Sequence, residues 1–105
     1  MLVSLLMRRV SGEGGNAMIL AKGDEMAGGM LLATRAKGRN SGLFERILAG
    51  DKGYAWQQVG PQDMVDEVAI DHYIQRRQSS DPDLWVIELD IPNAERFAAE
   101  ITDGG

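Results

Sequence analysis

The stretch Asp81-Pro82-Asp83-Leu84-Trp85-Val86-Ile87-Glu88-Leu89-Asp90 constrains the fold most, because a proline-centred turn runs straight into an alternating strand. Trp85, Ile87 and Leu89 fall on one side of that strand, and Val86, Glu88 and Asp90 on the other, as the two-residue period of a pleated backbone requires. The first set predicts a buried face and the second a largely wet one. This strand should organise the core, but it carries no catalytic pattern.

The remaining elements follow from period and punctuation. Leu2, Leu5, Leu6 and Val10 recur at helical spacing, with Arg8, Arg9 and Glu13 off the stripe, before Gly12, Gly14 and Gly15 stop the element. Two apolar runs bounded by turn residues, Ala17 to Ala21 and Met30 to Ala36, are expected as paired strands. Leu43 to Ala49 and Tyr54 to Val59, separated by Asp51-Lys52-Gly53, are expected as a hairpin. After Gly60-Pro61, the span Asp63 to Gln78 has the length and composition of the main helix, closed by Ser79-Ser80-Asp81-Pro82. Ile70, Tyr73 and Ile74 form its larger stripe, with roughly 2 kcal/mol per side chain if fully buried, so they are assigned to the sheet. Asn93 is positioned to cap a last helix, Ala94 to Ile101, whose apolar face is Phe97, Ala98 and Ile101. The fold class is therefore α+β in the order α-β-β-β-β-α-β-α: a mainly antiparallel twisted sheet of about five strands, with helices packed on one face. One domain covers residues 1–105, with a frayed tail from about Asp103.

Sixteen acidic against eleven basic residues give a net charge of −5, a field that repels phosphate backbones and anionic membranes and argues against nucleic acid as a partner. The absence of cysteine removes disulfides, thiolate nucleophiles and cysteine-ligated zinc, and is compatible with a cytoplasmic protein. The apolar run Leu2 to Met7 is followed, not preceded, by Arg8 and Arg9 and is far short of the ~20 residues of a membrane span, so neither export nor a membrane is expected.

Leu6-Met7-Arg8-Arg9, Gly23-Asp24 through Ala27-Gly28-Gly29, and above all Asp81-Pro82-Asp83-Leu84-Trp85-Val86-Ile87-Glu88 occur in this order along the chain. Together they resemble a small uncharacterised alphaproteobacterial family known only as a domain of unknown function. The resemblance spans nearly the whole chain and is weakest from Lys37 to Gly60. It implies an intact bacterial cytoplasmic domain with apolar residues at the places of Ile70, Tyr73 and Ile74. It brings no activity, no cofactor and no role for His72.

Each candidate site has a plain structural reading beside the chemical one. His72 is the sole histidine, the residue type suited to general acid or base work near neutral pH. With Ile70, Tyr73 and Ile74 on the sheet, it points towards solvent or a partner. Asp81 and Asp83, with Glu88 and Asp90 nearby, offer oxygen ligands to a hard cation, but aspartates flanking a proline more often make a turn. The glycines at 12, 14, 15, 23, 28 and 29 lack phosphate-loop spacing and read as turn glycines. Arg8, Arg9, Arg76 and Arg77 would form an anion patch if the two pairs met in space, although each arginine alone serves as a solvated or salt-bridged rim residue, Arg77 beside Tyr73 above all. Met64, Val65 and Val68 form a second stripe on the main helix and are the candidate partner surface, with Met26 and Met30 as further adaptable apolar side chains. Trp56 and Trp85 are expected as core anchors.

The sequence thus favours a small binding or regulatory module that acts through a protein partner or self-association, with no cofactor. The alternative is a metal-assisted hydrolase using His72 or Asp81 and Asp83, which requires those groups to converge on one pocket.

Overall fold

The computed structural model describes residues 2–24, 29–48, 50 and 53–103. Its elements are α1 (Leu2–Gly12), β1 (Asn16–Ala21), β2 (Met30–Ala36), β3 (Arg39–Leu48), β4 (Tyr54–Gln58), α2 (Glu67–Ser80), β5 (Trp85–Asp90) and α3 (Ala94–Asp103). The class and order are those expected from the sequence. The expected frayed tail is described only as far as Asp103, the last residue of α3, and Met26 and Gly28 also lie outside the described residues.

The five strands form one sheet in the order β1-β5-β2-β3-β4. Lys37 (φ 54°) and Gly38 (φ 76°) close the β2–β3 hairpin, both in the left-handed region that a tight two-residue turn demands. The β3–β4 hairpin is present as expected, with Phe44 opposite Gln58 and Leu48 opposite Tyr54. The expected pairing of the first two strands is corrected. Here β5 inserts between them, antiparallel to β1 and parallel to β2, with Met30 opposite Trp85 and Arg35 opposite Asp90. An apolar run reveals that a strand exists, but it does not name its neighbour.

The helices do not share one face. Val3, Leu6 and Val10 of α1, with Ala94 and Ala98 of α3, pack on Met30, Leu32, Phe44, Trp85, Ile87 and Leu89. On the opposite face, Ile70 of α2 packs against Ala33 and Leu43, while Tyr73 and Ile74 close over Leu31, Leu84 and Val86. The physical reason lies in β2 and β5, which sit at the centre of the sheet and must be covered on both sides. Val86, expected on a wet face, is fully buried, whereas Glu88 and Asp90 at the far end of the same strand stay half-exposed. In α1, Val3 takes the core position expected of Leu5, and Leu5 is exposed. Both tryptophans act as anchors, Trp85 buried and Trp56 half-buried against the α1–α3 face.

Two segments far apart in sequence meet at the head of β5. Trp85 Nε1 donates to the Asp24 carbonyl at 3.0 Å, the Asp24 amide donates to the Asp83 carbonyl at 3.0 Å, and the Trp85 amide donates to the Gly29 carbonyl at 2.9 Å. A Cβ on Gly23 would sit 2.2 Å from the Asp83 carbonyl oxygen, so only glycine permits this approach of one backbone to another.

Candidate functional site

The main helix starts later than its composition suggests. Asp63 Oδ1 accepts from the Val65 amide at 3.0 Å in a turn, and Asp66 then caps α2 by accepting from the Ala69 amide at 3.0 Å. Two aspartates three residues apart offer competing caps, and the second takes the helix. This local choice decides the fate of the candidate partner stripe. Met64 turns inward and packs with Ala33, Leu43 and Ile70, while Val65 and Val68 are left 87% and 66% exposed.

Beyond Val68, the outer side of α2 and the Gly60-Pro61 corner enclose a shallow, open groove lined by Gly60, Pro61, Ala69, His72, Arg76 and Ser79. Gly60 has φ +82°, and a Cβ there would meet Leu43 Cδ1 at 2.8 Å, so the corner lies tight against the sheet beside Tyr73. His72 is exposed on the groove wall, as its place opposite Ile70 and Ile74 requires. Sequence reasoning selected His72 and Arg76 separately. It did not foresee that Gly60-Pro61 would supply the facing wall.

The inner side of α2 is fixed by charge as well as by packing. Arg77 Nε donates to Glu45 Oε1 at 3.1 Å, its Nη2 binds the same oxygen, and its Nη1 donates to Ser80 Oγ at 3.2 Å. The hydrogen bond to Glu45 holds the Arg77 guanidinium above its ordinary pKa. Burial, reinforced by the negative charge of Glu45, raises the Tyr73 phenol above its ordinary value. Arg35 and Glu88 form a looser pair on the same face, at 3.8 Å.

The other candidates stand apart. Asp81 Oδ1 accepts from the Asp83 amide at 3.2 Å, and the Asp81 carbonyl accepts from the Leu84 amide at 3.1 Å, so the Asp-Pro-Asp segment is a turn joining α2 to β5. Neither aspartate lines the groove. Positions 72 and 80 alone are separated by about 12 Å of helix axis. Among the described residues, no three of His, Asp and Glu gather closely enough to hold a metal ion. Arg8 and Arg9 are exposed on α1, and Arg76 and Arg77 belong to α2 on the opposite face of the sheet, so the structure does not assemble the four into one patch. Among the described residues, no helix is long and apolar enough to cross a membrane.

A single mixed sheet clad by two helices on one face and one on the other, with an open groove along the outer side of α2, defines a small α+β domain. The chain belongs to the family described as "Protein of unknown function (DUF1491)", which matches residues 1–99. It is similar to the crystal structure of a family member from Caulobacter crescentus, with 33% identity over 90% of this chain and 88% of that one and a TM-score of 0.74. An NMR structure of a family protein from the same organism gives 31% identity over 91% and 86% of the two chains, with a TM-score of 0.76. A solution structure of a protein from A. tumefaciens gives 29% identity over 89% and 84%, with a TM-score of 0.67. No curated protein matches the chain.

Proposed function

We propose that the chain is a non-enzymatic binding module of the bacterial cytoplasm that engages a protein partner through the outer side of α2. The observation that carries this reading is the pair Val65 and Val68, 87% and 66% exposed beside a groove walled by His72 and Arg76. A folded chain gains nothing in its own core from these side chains, whereas a partner that covered them would remove apolar area from water at about 25 cal/mol per Å². The groove supplies the polar half of such a contact, since Arg76 and His72 both offer donors to a carboxylate or carbonyl on the partner. A cysteine-free chain fits a reducing compartment.

A photoreactive amino acid at position 68, introduced in the native host, tests this reading against the same group at position 8 on the opposite face. A cross-linked protein specific to position 68, lost when Val65→Asp is added to a chain that still folds, supports the reading. Direct titration of that purified protein against wild type and Val65→Asp must then show the same loss. Equal cross-linking from both positions, or binding unchanged in Val65→Asp, overturns it.

A further inference from the structure

We infer that the free edge of β1 pairs antiparallel with the β1 edge of a second copy, joining two five-stranded sheets into one sheet of ten strands across a two-fold axis. Among the described residues β1 is an outer strand bonded only to β5, so its second edge presents a row of backbone donors and acceptors that no described strand takes up. Natural edge strands are guarded by charge, proline, a bulge or a covering element. The sequence Asn16-Ala17-Met18-Ile19-Leu20-Ala21 has neither charge nor proline, in a chain that is 26% charged. It carries one guarding device, the register shift against β5 between Ile19 and Ala21. Met18, Ile19 and Leu20 are 56%, 39% and 45% exposed, the longest run of consecutive exposed aliphatic side chains among the described residues.

The opposite edge is different. β4 ends in exposed Gln57 and Gln58, its Trp56 is held against the α1–α3 face, and the guanidinium of Arg46 lies 4.1 Å over the ring of its exposed Tyr54. A β1-to-β4 contact would also be head-to-tail and would continue into a filament, whereas β1 against β1 closes after two copies.

Several features select a second copy as the occupant. Opposed residues in an antiparallel pair must point to the same side of the sheet, so a two-fold axis perpendicular to it passes through a residue position. Centred on Met18, it sets Met18 against Met18 and Ala17 against Ile19, within the regular part of the strand. The neutral strand adds no like-charge contact to a chain of net charge −5, and the antiparallel arrangement lays the Glu13 end of one copy alongside the Lys22 end of the other.

Sedimentation equilibrium of the full chain from about 5 μM to about 500 μM suits an interface at the small end of the specific range. The expected result is an average mass rising from 11.5 kDa towards twice that value. Met18→Lys and Met18→Glu each place like charges at the two-fold and should stay at single-chain mass with an unchanged dilute melting curve, while an equimolar mixture should regain the dimer. Val65→Asp with Val68→Asp should dimerise as wild type does, which separates this inference from the α2 surface. A wild type of single-chain mass throughout, dimers that survive either charged variant alone, loss without recovery in the mixture, or loss in the valine variant overturns the pairing. Should a Met18 variant not fold, amide hydrogen exchange of wild type decides: β1 amides that slow with concentration uphold the pairing, and unchanged ones overturn it.

Discussion

The two faces of the sheet are built from the same strands and differ in what they leave undone. The α1–α3 face is one continuous apolar cluster that runs from Val3 to Ala98 and takes in Leu32, Ile87 and Leu89, all without exposure. The α2 face is two smaller clusters bridged by Tyr73 and Ile74, flanked by the Arg77–Glu45 and Arg35–Glu88 pairs, and edged by exposed valines. Two helices close the first face, while a single helix on the second covers β2, β3 and the start of β5 and leaves its outer side exposed. The first face buries more apolar side chains, whereas the second carries the ion pairs and the exposed valines.

The largest test of that division is Ile87→Ala. It opens a cavity in the closed cluster and should cost about 2–5 kcal/mol, read as a lowered denaturation midpoint with unchanged slope. A cost below about 1 kcal/mol would mean that this face is not the anchor of the fold. Next comes the pair on the α2 face. A double-mutant cycle of Glu45→Gln and Arg77→Met should give a coupling of about 1 kcal/mol, because both side chains are only partly buried and water screens them. Zero coupling would make the pair an ornament of the surface.

A smaller effect is expected in alkali. The Tyr73 phenol is raised, so the folded chain keeps this proton to higher pH than the unfolded chain does. Its contribution to stability is fully present below the ordinary tyrosine range and is lost as pH rises through the folded value. Tyr73→Phe should therefore flatten the fall in melting temperature above about pH 10. A fall as steep in the variant as in wild type would detach the α2 face from that titration. The smallest stability effect belongs to Val65→Asp with Val68→Asp, within about 0.5 kcal/mol of wild type. A large loss there would show that the valines are core and that the two faces are more alike than their exposure suggests.

Local structure was legible in the sequence wherever short-range chemistry decides it. The β3–β4 hairpin, the tryptophan anchors and the choice of Ile70, Tyr73 and Ile74 as the inward stripe all follow from spacing and turn residues. Strand order was not legible, because the β1–β5 and β2–β5 pairings join residues more than fifty positions apart. A signal of the two-sided sheet was nevertheless present. Met30-Leu31-Leu32-Ala33 is apolar at every position, the mark of a strand covered on both faces and not on one. Of the candidate site, His72 and the exposed valines were accessible to pattern. The Gly60-Pro61 wall was not, since it reaches α2 only through the way the corner lies against Leu43 and Tyr73.

The insertion of β5 between β1 and β2 also orders events during synthesis. β2, β3 and β4 are consecutive hairpin partners and can associate as soon as they are made, but β1 has no neighbour until the chain has been extended through Asp90. Until then the strand Asn16–Ala21 is bare along both of its edges. Each nascent chain thus carries an uncharged aliphatic segment while about seventy further residues are added, which makes the interval before β5 emerges a period of exposure to mispairing with neighbouring chains.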